Sequence, residues 1–369
     1  MQQALPARIR QLLLPPVDAP PGELAAIQYL RGYAALIVVV QHLLLRWAIF
    51  AWDMHLFTLR SGVDIFFVIS GFVMVYSTDR GARLGAKEFL ARRIVRVVPA
   101  YWIVTTPSLL LLLAAPGLAH AFSTSPAHAV ASYLFIPWAT PDGTMVPVVQ
   151  LGWTLNYEMF FYALFALGIL GGRRRPAAVM GLVLGMLLLL VLAGYLLPLH
   201  GTAKFWTQPV ILEFALGMVI ALLWRGPARV QWPVLVLAVA VAVAMLAWPN
   251  WGDRLRLVRF GIPAAVLVAA AVHLRLPRSP FWHRMGDISY SLYLINTLLL
   301  AAWGTLWGRW LPHETYVHFA IYALAGLALT IGVAWFFWAL VERPLTRAGK
   351  RWIEQRFSSA VGPSAALAP

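Results

Sequence analysis

Residues 27–46 read Ile-Gln-Tyr-Leu-Arg-Gly-Tyr-Ala-Ala-Leu-Ile-Val-Val-Val-Gln-His-Leu-Leu-Leu-Arg. At 1.5 Å per residue, about 20 apolar residues in a helix match the ~30 Å hydrocarbon core of a bilayer. The stretch therefore predicts a transmembrane helix, with two ionisable side chains, Arg31 and His42, inside it. Comparable stretches recur at 62–78, 98–116, 152–171, 177–197, 207–224, 232–248, 258–274, 287–303 and 317–340. The expected fold class is an all-α polytopic membrane protein with about ten transmembrane helices. Composition agrees. Hydrophobic residues make up 61% of the 369 and charged residues 12%, with a mean hydropathy of +0.75. Soluble proteins carry about 25% charged residues, so a water-soluble globule is excluded, and disorder is excluded by the same hydrophobicity.

Lysine and arginine set the orientation. With both termini in the cytoplasm, 22 of the 29 fall in cytoplasmic segments and 7 on the opposite side. Positive-inside asymmetry of this size predicts cytoplasmic termini and an even number of spans. The net charge of +15 is then read as basic loops against anionic lipid headgroups, with membrane lipids as partners and no nucleic acid. The chain has no cysteine, which excludes disulfides, thiolate metal sites and a cysteine nucleophile.

The expected organisation is a cytoplasmic tail over 1–26, a transmembrane domain over 27–345 and a disordered cytoplasmic tail over 346–369. Residues 1–26 lack the pattern of a cleaved signal peptide, so the first span is expected to remain as an anchor. Pro344 is expected to end the last helix. The connection over 117–151 faces outside, carries no lysine or arginine, and is rich in proline and aromatic residues. Such a loop suits a functional role, and its aromatics equally suit interface anchoring.

Ionisable groups inside spans are costly and mark candidate sites. Arg31 and His42 are 11 residues apart, close to three full turns, so they share a helix face about 16 Å apart along the axis. Taken alone, Arg31 also suits a snorkelling anchor and His42 a buried, hydrogen-bonded imidazole. Asp64, in Gly62-Val63-Asp64-Ile65-Phe66-Phe67-Val68-Ile69-Ser70-Gly71, stands at a level comparable with His42 and is expected to orient it. Ser70 and Gly71 alone read as a small-residue packing site.

Further along, Glu88 and Arg92 are spaced to pair, while Arg93 and Arg96 share a face. Two guanidiniums so placed suit a phosphate-bearing ligand, and the same segment suits an amphipathic helix on headgroups. Glu158 lies inside the fourth span, with Tyr162 one turn on and able to donate to it. The groups at 287–296 and 342–344 sit near helix ends, where capping and snorkelling explain them.

Together these motifs resemble acyltransferase family 3 of membrane-bound O-acyltransferases, from about Leu30 to Pro344. The resemblance rests on Arg31 with His42; Phe66, Phe67, Ser70 and Gly71; Arg93, Arg96 and Pro99; Trp153-Thr154-Leu155 with Glu158, where the family has Ser for Thr; and Ser289, Tyr290, Tyr293 and Leu294. Members often have histidine where this chain has Asn296, which puts a role for that position in question.

The resemblance implies transfer of an acyl group, commonly acetyl, from cytoplasmic acyl-CoA to a hydroxyl of a glycan, lipopolysaccharide or exopolysaccharide outside the cytoplasm. It implies a multi-pass protein of the bacterial inner membrane, with no metal. His42 is then the base, Asp64 or Glu158 supports it, and Arg31, Arg93, Arg96 and Ser70 belong to the donor site. Some members carry an additional C-terminal esterase-like domain, which is expected to be absent here. Intramembrane charges also suit a transporter or flippase, and a glycan-binding scaffold is a third reading; no inverted repeat supports the transporter.

Overall fold

The computed structural model describes residues 24–51, 59–79, 85–114, 125–172, 175–224, 230–247, 256–274, 276–310 and 316–358. Several arginines in the orientation count, including Arg8, Arg80, Arg173 and Arg225, lie outside these residues, as do 1–23 and 359–369 of the expected tails. Fourteen helices are named in chain order: α1 Ala25–Ala51, α2 Ser61–Asp79, α3 Ala86–Ala114, α4 Pro126–Tyr133, α5 Gly152–Gly171, α6 Pro176–Leu196, α7 Gly201–Trp206, α8 Leu212–Leu223, α9 Trp232–Ala247, α10 Leu257–His273, α11 Pro280–Asp287, α12 Ser289–Trp310, α13 Tyr316–Phe337 and α14 Arg343–Ser358. Among the described residues there is no β-strand, only an isolated bridge between Ala139 and Met145.

Each of the ten expected spans overlies a helix. Six helical segments are long and apolar enough to cross a membrane, and α2, α9 and α10 are shorter apolar helices. Apolar faces on α6 and α9, including Leu188, Leu189, Leu192, Val236 and Leu237, are exposed, which suits contact with lipid. The closest packing joins α2 to α8. A Cβ on Gly71 would stand 2.0 Å from the Phe214 carbonyl oxygen, and one on Gly217 would stand 1.9 Å from that of Val68. Gly71 and Gly217 thus let two backbones meet, as expected of Gly71.

Three local expectations are corrected. The segment before the third span is not a separate amphipathic helix; α3 runs unbroken through Pro99 and Pro107, carrying Arg93 and Arg96 into the bundle. Pro344 does not end the last helix. A π turn over Trp338–Glu342, closed by the Arg343 N–H on the Trp338 carbonyl, precedes it. That wider turn makes room for the proline ring and its missing donor, so the chain continues as α14. Residues 346–358, expected to be disordered, are therefore helical, with Arg343, Arg347 and Lys350 at helical spacing on one face. The outer connection also has structure of its own. Helix α4 is capped by Ser125, and His128 Nε2 and Ser132 Oγ tie it to Val146 and Val148.

Candidate active site

A cavity of about 690 Å³ opens between α1, α2, α3, α5, α11, α12 and the α13–α14 junction. Arg31, Ser70, Arg93, Arg96 and Glu158, five of the seven residues singled out from sequence, line it together. His42 and Asp64 are not among its lining residues.

Arg31 points at α12. Its Nη2 donates to Ser289 Oγ at 3.1 Å and its Nη1 to Gln28 Oε1 at 2.9 Å. Gln28 Nε2 then donates to Asp287 Oδ1 at 2.7 Å, and Asp287 faces His283 at 3.4 Å. The guanidinium is thus held on both sides by side chains that are themselves fixed. On α3, Glu88 pairs with Arg92 at 2.7 Å as the spacing predicts, leaving Arg93 and Arg96 on the cavity side. Arg93 lies over the rings of Phe89 and Tyr162, 5.6 and 5.8 Å from their centroids, and reaches Ser77 Oγ at 3.5 Å. These ring faces hold the cation by its charge and leave its in-plane N–H groups for other acceptors. Tyr162 donates to Glu158, as expected from their i,i+4 spacing.

On α12 the lining continues one turn past Ser289 to Tyr293, where Phe66 and Thr154 join it. The hydroxyls of Thr154 and Tyr293 bond at 2.7 Å, and the Tyr293 ring meets Phe66 edge-on at 5.9 Å. The substitution of Thr for the family's Ser keeps this hydroxyl.

His42 lies three turns along α1 from Arg31, and it too faces α12. Its Nδ1 is 2.8 Å from Asn296 Oδ1. The Asn296 amide has a fixed sense, because its Nδ2 donates to the carbonyls of Leu292 and Tyr293 at 3.1 and 2.7 Å. Its oxygen therefore faces the ring, so His42 Nδ1 carries the proton and Nε2 is the basic nitrogen of the neutral imidazole. Asn296 follows Tyr293 by one turn, so this pair stands just past the wall of the cavity.

The expectation that Asp64 orients His42 is corrected. Asp64 Oδ1 accepts from Arg256 Nη2 at 2.8 Å, and Arg256 Nε lies 4.0 Å from the buried Glu213 carboxylate. Asp64 occupies the face of α2 turned toward α8 and α10, and it is Asn296 that stands against His42. Glu158 likewise faces Tyr162 and the arginines, not the imidazole. Arg256 also lines a second cavity of about 390 Å³ with Trp153, Tyr157, Tyr195, Lys204 and Gln208.

Sequence reasoning missed Asn296 as a partner, and it assigned Ser289, Tyr290 and Arg343 to helix ends although all three line the main cavity. The signal was present in the spacing. Ser289 and Asn296 are seven apart, two turns, so one face of α12 meets Arg31 and His42 on one face of α1. Among the described residues no cluster of three or more histidine, aspartate or glutamate side chains could hold a metal ion.

Residues 24–339 match the acyltransferase family 3 profile, described as an acyltransferase domain. The chain belongs to that family. It is 34% identical over 315 residues to "Exopolysaccharide production protein ExoZ" of Rhizobium meliloti (strain 1021), covering 80% of this chain and 92% of that protein. It is 26% identical to "Acyltransferase MdmB" of Streptomyces mycarofaciens, covering 88% of this chain and 92% of that protein. It is also 26% identical to "Nodulation protein 10" of Rhizobium leguminosarum bv. viciae, covering 84% and 88% respectively. No solved structure matches. The protein is a membrane acyltransferase, so it uses an acyl donor, and the transporter and scaffold readings give way.

Proposed function

We propose that this acyltransferase O-acylates a polysaccharide, taking an acetyl group from acetyl-CoA on the cytoplasmic side, with His42 as general base. The observation that carries the reading is the cavity that gathers Arg31, Arg93 and Arg96 at one end and stops one helical turn short of the His42–Asn296 pair at the other. A polysaccharide acceptor is supported by the similarity to a protein named for exopolysaccharide production.

The proposed topology has ten spans and cytoplasmic termini, in the inner membrane. Its support is the lysine and arginine asymmetry, with six long apolar helical segments and three shorter ones among the described residues. With that orientation every arginine of the cavity lies toward the cytoplasmic ends of its helix, where CoA is found. The second cavity, with Trp153, Tyr195, Lys204 and Arg256, lies on the outer side.

In the reaction, Arg93 and Arg96 bind CoA phosphates and Arg31 adds charge. Ser70 lines the path of the pantetheine arm, whose extended length matches the separation of Arg31 and His42. The thioester reaches the Tyr293 end of the cavity. His42 Nε2 takes the proton of the acceptor hydroxyl as its oxygen attacks the thioester carbonyl. The C–S bond breaks, and the proton passes from His42 to the leaving thiolate. Asn296 accepts from Nδ1–H and holds the ring in the tautomer this requires. General-base assistance of this kind contributes about 10²–10⁴-fold. Purified protein given acetyl-labelled acetyl-CoA and a de-O-acetylated exopolysaccharide should label the polysaccharide with release of free CoA. Release of CoA with acetate in solution and no labelled polysaccharide would contradict the proposed acceptor.

A further inference from the structure

The main cavity collects six cationic side chains, Arg31, Arg93, Arg96, Arg343, Arg347 and Lys350, against two acidic ones, Glu158 and Asp287. Three of the six come from α14, most of which the sequence reading placed in a disordered tail. Helix α14 is held against α3 by a close contact. A Cβ on Gly349 would stand 2.0 Å from Val95 Cγ1, so glycine lets α14 lie directly against the Val95 side chain there. The next residue, Lys350, is thereby partly desolvated and placed where Arg96, Arg92 and Arg347 repel it, with Glu354 one turn on offsetting part of that repulsion. Neither Arg347 nor Lys350 has an ion pair with a carboxylate of the described residues. Packing like charges together costs free energy, and a built contact that enforces it points to a polyanion that offsets the cost.

The six cations divide by depth. Arg31, Arg93 and Arg96 are partly buried, whereas Arg347 and Lys350 are exposed at the mouth. Acyl-CoA carries its phosphates in the same order. The diphosphate adjoins the pantetheine arm, and the 3′-phosphate sits on the ribose at the far end. If the thioester points inward, the 3′-phosphate is outermost. A phosphate monoester carries about −1.5 to −2 charges at neutral pH and offers three acceptor oxygens.

Resting on the donor proposed above, we infer that Arg347 and Lys350 of α14 form a separate subsite for the 3′-phosphate of the donor, which makes the enzyme selective for CoA over 3′-dephospho-CoA. Arg343, whose guanidinium lies 5.3 Å from the Trp338 ring centroid, lines the cavity one turn before Arg347.

The test uses full-length protein in nanodiscs and compares the affinities of acetyl-CoA and 3′-dephospho-acetyl-CoA. Wild type should prefer acetyl-CoA by about tenfold or more, the range for charge-assisted hydrogen bonds to one group. Lys350→Gln and Arg347→Gln should each weaken acetyl-CoA while leaving the dephospho form unchanged, bringing the ratio toward one. Lys350→Arg, which keeps the charge, should retain the ratio. Equal loss for both donors, or no loss for either, overturns the subsite. A change confined to thermal stability in phosphatidylglycerol nanodiscs, with the donor ratio intact, assigns α14 to lipid headgroups and also overturns it. Wild type that binds neither donor would sink the acyl-CoA reading itself, a result distinct from binding both equally.

Discussion

His42 Nδ1 stands 2.8 Å from the side-chain oxygen of Asn296, whose amide nitrogen is committed to two backbone carbonyls of its own helix. An asparagine so anchored accepts and cannot readily turn to donate. It fixes the imidazole tautomer without placing a second charge in the membrane, where an unpaired carboxylate would be costly. Asn296→Ala should therefore lower turnover by about tenfold or more while the KM for acetyl-CoA stays near the wild-type value, since the position touches no donor-binding group. Steady-state kinetics on the two proteins check this, and an increase in donor KM with unchanged turnover would place Asn296 in the donor site.

Arg93 and Arg96 are proposed to act on the donor alone. Replacing either with Ala should weaken acetyl-CoA binding by about 1.5–3 kcal/mol, the usual value of a hydrogen bond to a charged group. Calorimetric titration of purified variants reads this directly. Unchanged affinity accompanied by poor membrane insertion would instead mean that these arginines serve lipid headgroups.

Asp64, Glu213 and Arg256 make an ion cluster between α2, α8 and the start of α10, and a structural role is proposed for it. Both carboxylates are fully buried and depend on one guanidinium. Arg256→Ala should destabilise the protein by about 3–5 kcal/mol, because it leaves buried charge uncompensated. Adding Asp64→Asn to that variant should recover part of the loss. Thermal unfolding in detergent measures both. A stable Arg256→Ala protein with lost turnover would return Asp64 to the catalytic apparatus.

The proposed topology puts the C-terminus and the connection around α4 on opposite sides of the membrane. Reporter fusions after residue 358 and within 134–150 should give opposite readings. Matching readings would overturn the orientation and with it the cytoplasmic donor.

Much of this was legible in the sequence because membrane spans and intramembrane charges are one-dimensional signals. The helical period places Arg31 and His42 on one face, and the structure shows that face turned to α12. The i,i+4 spacings of Glu88 with Arg92 and of Glu158 with Tyr162 gave their pairs directly. Depth alone misled in the case of Asp64. A similar level in the membrane does not fix which neighbour a helix face meets, and the face of α2 was decided by its glycine contact with α8. The tail was misread for a local reason. Pro344 reads as a stop signal, and a π turn before it is not visible in residue spacing. With that stop removed, Arg347 and Lys350 belong to the cavity.

The central claim is that His42 is the general base, and His42→Gln tests it most directly. Glutamine is close in volume and polar, so the variant should insert and fold as wild type does. Acetyl transfer from acetyl-CoA to the polysaccharide, followed in a purified system, should fall by at least about 10²-fold, the lower end for losing a positioned base. Acetyl-CoA affinity should hardly change, because Arg31 is about three turns away on the same helix and Arg93 and Arg96 stand on α3. A folded His42→Gln protein with near-normal turnover would contradict the mechanism and leave His42 as a half-buried histidine bonded to Asn296.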